Sequence, residues 1–245
     1  MIPLVVELYC GTFGWSQGWL KRGGRAVGFD IEHHPWHGPV PQGAELILQD
    51  VRTVHGSQFK EAFLILASPP CQEFSYRAMP WKRAKALPPP VLGMELFNAC
   101  FRIQKEASDA AGRHIPMVVE NVCGAQKWVG RARWHFGSYY LWGDVPALMP
   151  ITLKGYKSSG LNWSNRDLKG QDFTRKAAEH ARGVKGFTPN GQPLGKNQLG
   201  RKHGSKSNAR RAASALIARI PERLSDWIAE CYFPMVAAND LNKSG

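Results

Sequence analysis

Short apolar runs alternate with helix-periodic segments over the first two-thirds of the chain, the pattern of a parallel α/β sheet. Pro3 to Tyr9, Arg25 to Asp30, Glu45 to Asp50, Leu64 to Ser68 and Pro116 to Asn121 are predicted strands. After "LPPP", a predicted helix carries Leu92, Leu96, Ala99, Cys100, Ile103, Ala107 and Ala110 on one face, which makes Cys100 a core residue. The stretch Trp134 to Gly143 is aromatic and β-prone, with Gly137 as its bend. Ser207 is a predicted N-cap for a closing helical region that Pro221 divides in two.

Charge changes this picture near Pro146. The chain has 245 residues and a formal net charge of +13. Between Ile151 and Arg211 there are 14 basic and three acidic residues, so most of the excess lies in that one segment. A field of this sign favours a polyanion, nucleic acid before an anionic membrane. No apolar run approaches the roughly 20 residues that span a bilayer. The amino terminus lacks the basic and apolar pattern of a secretory signal. The five cysteines are scattered, with no C-x-x-C pair, which suits a reducing cytoplasm. The triad His33, His34 and His37 has no cysteine or acidic partner at ligand spacing, so it reads as a solvated loop and no metal is expected.

The strand ends carry the chemistry. "ELYCGTFGW" places Gly11 and Gly14 just after the first strand, where a tight turn can approach a nucleotide-like ligand. Asp30 ends the second strand, with Glu32 close behind, placed to accept hydrogen bonds from ribose hydroxyls. Asp50 ends the third, where a carboxylate can accept from an adenine amino group. The fourth leads into "ASPPCQEFS". Pro69 and Pro70 fix φ and force the chain out of the sheet, leaving Cys71 beyond a strand's carboxyl end. An isolated cysteine would more often be a small buried hydrophobe. The fifth strand, however, ends in "ENV", so Cys71 and Glu120 form a nucleophile and acid at neighbouring strand ends.

These motifs, in this order, resemble the cytosine C5 DNA methyltransferases, which use S-adenosylmethionine. "ELYCGTFGW" resembles their cofactor motif, "PPCQEFS" their nucleophile loop and "ENV" their acid motif. The resemblance covers residues 3–145 well and 207–232 loosely. It implies a Rossmann-like methyltransferase sheet with helices on both faces and a small basic target-recognition insert. Residues 1–145 would form the catalytic domain, 146–206 the recognition region, and 207–245 helices returning to the catalytic domain. Cofactor contacts are expected at Glu7, Tyr9, Cys10, Gly11, Thr12, Phe13, Gly14, Asp30, Ile31, Asp50, Val51 and Pro70. Cys71 would attack C6 of a cytosine flipped out of the duplex, with Glu120 at N3 and the exocyclic amino group. Pro70, Gln72, Ser75, Asn121 and Val122 would line the base pocket.

The chain departs from the family at four places, the mildest being Tyr9, which stands where a phenylalanine commonly stacks on adenine. Phe13 stands where glycine is usual, which changes the backbone's approach to the methionine moiety. "VGRAR" lacks the glutamine of the family's Gln-x-Arg-x-Arg motif but keeps Arg131 and Arg133, expected to touch phosphate and the flipped base. The Gly-Asn before the closing helix is missing. The expected partner is double-stranded DNA, bound by a cytoplasmic monomer. A cognate restriction nuclease is the partner that the resemblance brings with it, and no residue specifies one. Two alternatives stay open: an RNA cytosine C5 methyltransferase, and a nucleic-acid-binding protein that has lost catalysis. A dinucleotide oxidoreductase has no use for PPC or ENV.

Overall fold

A computed structural model describes residues 2–34, 38–75, 88–149 and 219–233. By internal contacts the chain divides into two units, residues 1–151 with 220–245, and residues 152–219. The basic segment, Ser207 and His37 lie outside the described residues.

The apolar runs pair because each can bury both faces. In the first unit β1 (Leu4–Leu8), β2 (Arg25–Asp30), β3 (Ala44–Leu48), β4 (Leu64–Ala67) and β5 (Met117–Asn121) join β6 (Trp134–Phe136) and β7 (Tyr139–Gly143) in one sheet. Its order is β3-β2-β1-β4-β5-β7-β6. Pairing is parallel from β3 to β5, with Val5 beside Leu64 and Ala67 beside Val119. The wholly parallel expectation fails at the far edge. There β7 runs antiparallel to β5 and β6 antiparallel to β7. Gly137, at φ 60°, makes the bend that lets the aromatic stretch fold back as a hairpin instead of crossing over.

Successive side chains on each strand point to opposite faces. Val6, Leu8, Ile65, Met117 and Val119 face α2 (Val91–Ala111), while Val5, Leu64, Leu66 and Val118 face α1 (Gln17–Lys21) and α4 (Glu222–Tyr232). Helices therefore cover both faces, as expected for a Rossmann-like sheet. Pro221 stands at the N-cap of α4, and the helix expected before it lies outside the described residues. The buried stripe of α2 is Gly93, Phe97, Ala99, Cys100, Ile103 and Ala107. Cys100 is core as expected. Leu92 is 44% exposed, and Ala110 is also exposed. Within the stripe the Phe97 ring meets Trp142 edge-on at 5.3 Å.

Phe13 turns its ring inward. The residue is 2% exposed and packs with Cys10, Trp15 and Ala26 under the sheet, while it also lines the cleft bordered by Gly11 and Thr12. A Cβ at Gly28 would lie 2.4 Å from Phe13 Cε1, so β2 carries a glycine there to admit the ring. Phe13 itself sits at φ 57°, a left-handed conformation that strains a bulky residue. Core burial outweighs that strain. Phe13→Gly is therefore expected to lower unfolding free energy by about 2–4 kcal/mol, the loss of a buried ring less the relieved strain. Gly28→Ala should destabilise the wild type by crowding, and cost less in the Phe13→Gly background. Urea denaturation of the double-mutant cycle checks both.

Candidate active site

The order in which the parallel strands are laid down reverses between β1 and β4, and ligands of open α/β sheets bind outside such a switch point. The loop after β1 is held open there. Gly11, at φ 51°, donates its N–H to Asp30 Oδ2 at 2.9 Å, and a side chain at Gly11 would meet nothing within 4 Å. Asp30 Oδ1 accepts from the Glu32 N–H at 3.3 Å, and His34 lies 3.6 Å away. Next to Asp30, Ile31 is 73% exposed, an apolar surface at the strand end. Thr12 is half-buried, and Tyr9 hydrogen-bonds to the Leu96 carbonyl on α2 at 2.9 Å.

Asp50 is less free than the sequence suggests. Both its oxygens accept from the Arg52 side chain, at 2.6–3.1 Å, and the Arg52 N–H adds a backbone bond at 2.9 Å. That guanidinium holds the Asp50 carboxyl below the usual carboxylate range.

Several expected contacts turn inward. Glu7 is buried and accepts from Trp15 N at 3.2 Å, from Ser16 N at 2.9 Å and from the Ser16 hydroxyl. Its carboxylate is spent on the turn into α1, so its work is to shape the glycine loop. Cys10 and Val51 are core residues, and Gly14 is buried. Burial and the charges of Glu7 and Asp30 push the Cys10 thiol far up, so it is no rival nucleophile. Asn121, expected in the base pocket, is 1% exposed. Its amide donates to the Pro69 carbonyl at 3.0 Å and its carbonyl accepts from Val122 N at 2.8 Å. It ties the end of β5 to the nucleophile loop. Val122 is half-buried against the core.

The nucleophile loop is anchored at both ends. Pro69 is buried and held by Asn121, whereas Pro70 and Gln72 are exposed and Cys71 and Ser75 are half-exposed. Phe74 is fully buried against Gly93. Helix α2 begins after three prolines, and Pro90 at its N-cap offers no side-chain acceptor. Glu73 supplies one from the loop, accepting from Gly93 N at 2.7 Å. Sequence reasoning missed Glu73, because its partner lies 20 residues away.

Across the sheet, the Ala67–Val119 pairing carries the two chains forward to Ser68 and Glu120. Burial pushes the Glu120 carboxyl up to about 8, and a hydrogen bond from Ser68 opposes the shift. The carboxyl is thus mostly protonated at neutral pH. Burial also raises the Cys71 thiol, and the Glu120 charge raises it further. Glu120 ionises first, so its charge weighs on the thiol and not the reverse. Tyr139, on β7, is raised by burial and then by the same charge, which places it in the Glu120 environment.

Between α3 (Gln126–Val129) and β6, Gly130 O accepts from the Trp142 indole at 3.0 Å and Ala132 N donates to Gln126 Oε1 at 3.1 Å. This pinned loop leaves Arg131 and Arg133 exposed on either side of half-buried Ala132. A depression on α4, lined by Glu222, Arg223, Asp226, Trp227 and Glu230, holds none of the candidate residues. Among the described residues no cluster of three metal-ligating side chains forms, and no helix is long and apolar enough to cross a membrane.

The strand order, with its reversed β7, makes a Rossmann-like sheet whose parallel strands end in an antiparallel hairpin at one edge. No family model and no curated protein matches the chain. Among solved structures it is similar to a mutant of DNMT2 from Spodoptera frugiperda, at 20% identity over 51% of this chain and 37% of that one, with a TM-score of 0.34. The Dnmt2 methyltransferase of S. pombe gives 20% identity over 52% and 36%, with a TM-score of 0.33. PH0851 gives 14% identity over 49% and 30%, with a TM-score of 0.32. The chain thus spans only about a third of the length of each.

Two outcomes are expected from this geometry. Glu73→Ala leaves the first turn of α2 uncapped and should cost about 0.5–2 kcal/mol in thermal or urea unfolding. It should also speed alkylation of Cys71 by freeing its loop. Glu120 binds a proton in the folded state up to about pH 8, against an ordinary value of 4.5. The unfolded chain releases that proton earlier, so this group's contribution to stability falls as pH rises through that window. Melting temperatures of Glu120→Gln should accordingly decline less than those of the wild type between pH 5 and pH 8.

Proposed function

We propose that the chain is an S-adenosylmethionine-dependent cytosine C5 methyltransferase acting on DNA. One arrangement carries the reading: half-exposed Cys71 stands just beyond the end of β4, and Glu120 stands at the end of the neighbouring parallel strand β5, where burial favours its protonated form. The residues beside them suit the cofactor. The open space at Gly11, the Asp30 carboxylate and the exposed Ile31 would hold the nucleoside, with Thr12 and Pro70 at its borders. The cofactor would supply an electrophilic methyl group.

Cys71 as thiolate adds to C6 of a flipped cytosine, and the electron pair of the C5–C6 bond moves into the ring. Protonated Glu120 donates to N3, so the ring does not have to carry a full negative charge. C5 would then take the methyl group, the sulfonium leaving as its neutral thioether. Loss of the C5 proton to water or another base drives the thiolate out and restores the C5–C6 double bond, and N3 returns its proton to Glu120. Because the resting thiol is raised, thiolate must be generated as the base arrives. Arg131 and Arg133 would meet phosphate and the extruded nucleotide. Residues 1–145 and 207–245 would form the catalytic part, and residues 146–206 would read the target through their basic excess.

The decisive experiment uses duplex DNA containing 5-fluorocytosine, whose fluorine blocks the final elimination. With S-adenosylmethionine present, the wild type should form a covalent complex stable to denaturation, and Cys71→Ser should form none. Trapping that persists in Cys71→Ser would overturn the nucleophile. Stronger trapping on 5-fluorocytosine RNA than on DNA would move the substrate to RNA. A second expectation concerns the basic segment. Replacing Lys196, Arg201 and Lys202 together should weaken binding to every sequence and flatten the salt dependence, each lost phosphate contact removing about 0.9 from the log–log slope.

A further inference from the structure

Trp15 is fixed from three sides. Its backbone N–H donates to Glu7 on β1 at 3.2 Å, and its carbonyl accepts from the Ser225 hydroxyl on α4 at 2.6 Å. Its indole N–H donates to Ser68 Oγ, just past β4, at 2.9 Å. The ring is 1% exposed, so this hydrogen bond is shielded from competing water. Gly18 N donates to the same Ser225 oxygen at 2.8 Å, and a Cβ at Gly18 would lie 2.6 Å from the Ser225 carbonyl, so α1 and α4 are locked together beneath it.

An indole nitrogen only donates. Ser68 must therefore accept from it, which fixes where the hydroxyl oxygen sits and leaves the hydroxyl proton for another acceptor. Ala67 lies beside Val119 in the parallel pairing of β4 with β5, so Ser68 and Glu120 follow as neighbours on the same face, and the Ser68 hydroxyl opposes the upward push of burial on the Glu120 carboxyl. We propose that Trp15 and Ser68 are a positioning pair for Glu120: the indole aims the Ser68 hydroxyl at one carboxyl oxygen, so that the acid's own proton is held on the other. Glu120 then has a single orientation and a single proton position. Trp15 follows Gly14 directly, so the relay also joins the glycine loop to the acid. Neither residue touches the reacting base.

The proposal rests on the methyltransferase reading for what the proton does, but not for where it is held. The test therefore has two arms on the full-length protein: carbon-13 NMR titration of the Glu120 carboxyl, and steady-state methyl transfer to cytosine DNA. Ser68→Ala removes a hydrogen bond to the ionised carboxylate, so the titration midpoint should move up from about 8. Trp15→Phe, which keeps most of the ring volume, should move it in the same direction by a smaller amount. Ser68→Thr keeps the hydroxyl and should restore it. In the activity arm, Ser68→Ala should lose about tenfold to a hundredfold in kcat with KM for DNA little changed. A midpoint unmoved in both Ser68→Ala and Trp15→Phe overturns the pair. A midpoint that moves while the wild type transfers no methyl group overturns the proposed function and leaves the pair standing.

Discussion

The parallel pairing of β4 with β5 is the constraint on which the site depends. β4 leaves the sheet at Pro69–Pro70, which cannot continue a ladder, and β5 ends at Asn121. Register alone sets Ala67 against Val119, and so brings Ser68 and Cys71 on one strand end to Glu120 on the other. A shift of one residue would turn Glu120 to the opposite face of the sheet. The Asn121 amide on the Pro69 carbonyl fastens that register beyond the last ladder bond.

Around this pair the structure uses buried polar groups as fasteners. Glu7, Asn121, Ser225 and Ser16 are buried, and each finds its partner in a loop or in a neighbouring element. Leaving one unsatisfied would cost about 1–3 kcal/mol, which gives the loops a defined conformation without added apolar area. The same logic places Glu73 at the head of α2, where the proline run has removed the local cap. Loops that carry chemistry are thus held by side chains from elements far away in sequence.

Electrostatics at the pair is set by burial more than by charge partners. Both Glu120 and Cys71 are pushed toward their neutral forms, and the ionised state of one discourages the ionised state of the other. An acid that keeps its proton at neutral pH suits donation to a ring nitrogen. Asp30, by contrast, accepts from backbone N–H groups, and Asp50 from a guanidinium that holds its carboxyl below the usual range. The strand-end acids thus stand in different environments.

Much of this was legible in the sequence. Parallel strands buried on both faces read as unbroken apolar runs, so β1 to β5 and their chemistry-bearing ends could be located from "LVVEL" or "LILA" alone. Gly137 announced the hairpin bend, and Cys100 fell on a helical apolar face. Motif order singled out Cys71, Glu120, Asp30 and Asp50 as candidates, and the strand ends could be located with them. What the sequence could not carry were partners set by tertiary distance. That Phe13 fills the space above Gly28, that Glu73 caps a helix 20 residues on, and that Trp15 reaches Ser68 depend on elements meeting across 15 to 53 positions. Local pattern encodes which face a residue lies on, because that is a matter of period. Which buried hydrogen bond a residue makes is decided only when strands and helices have packed, because direction and distance then choose among acceptors that the sequence leaves equivalent.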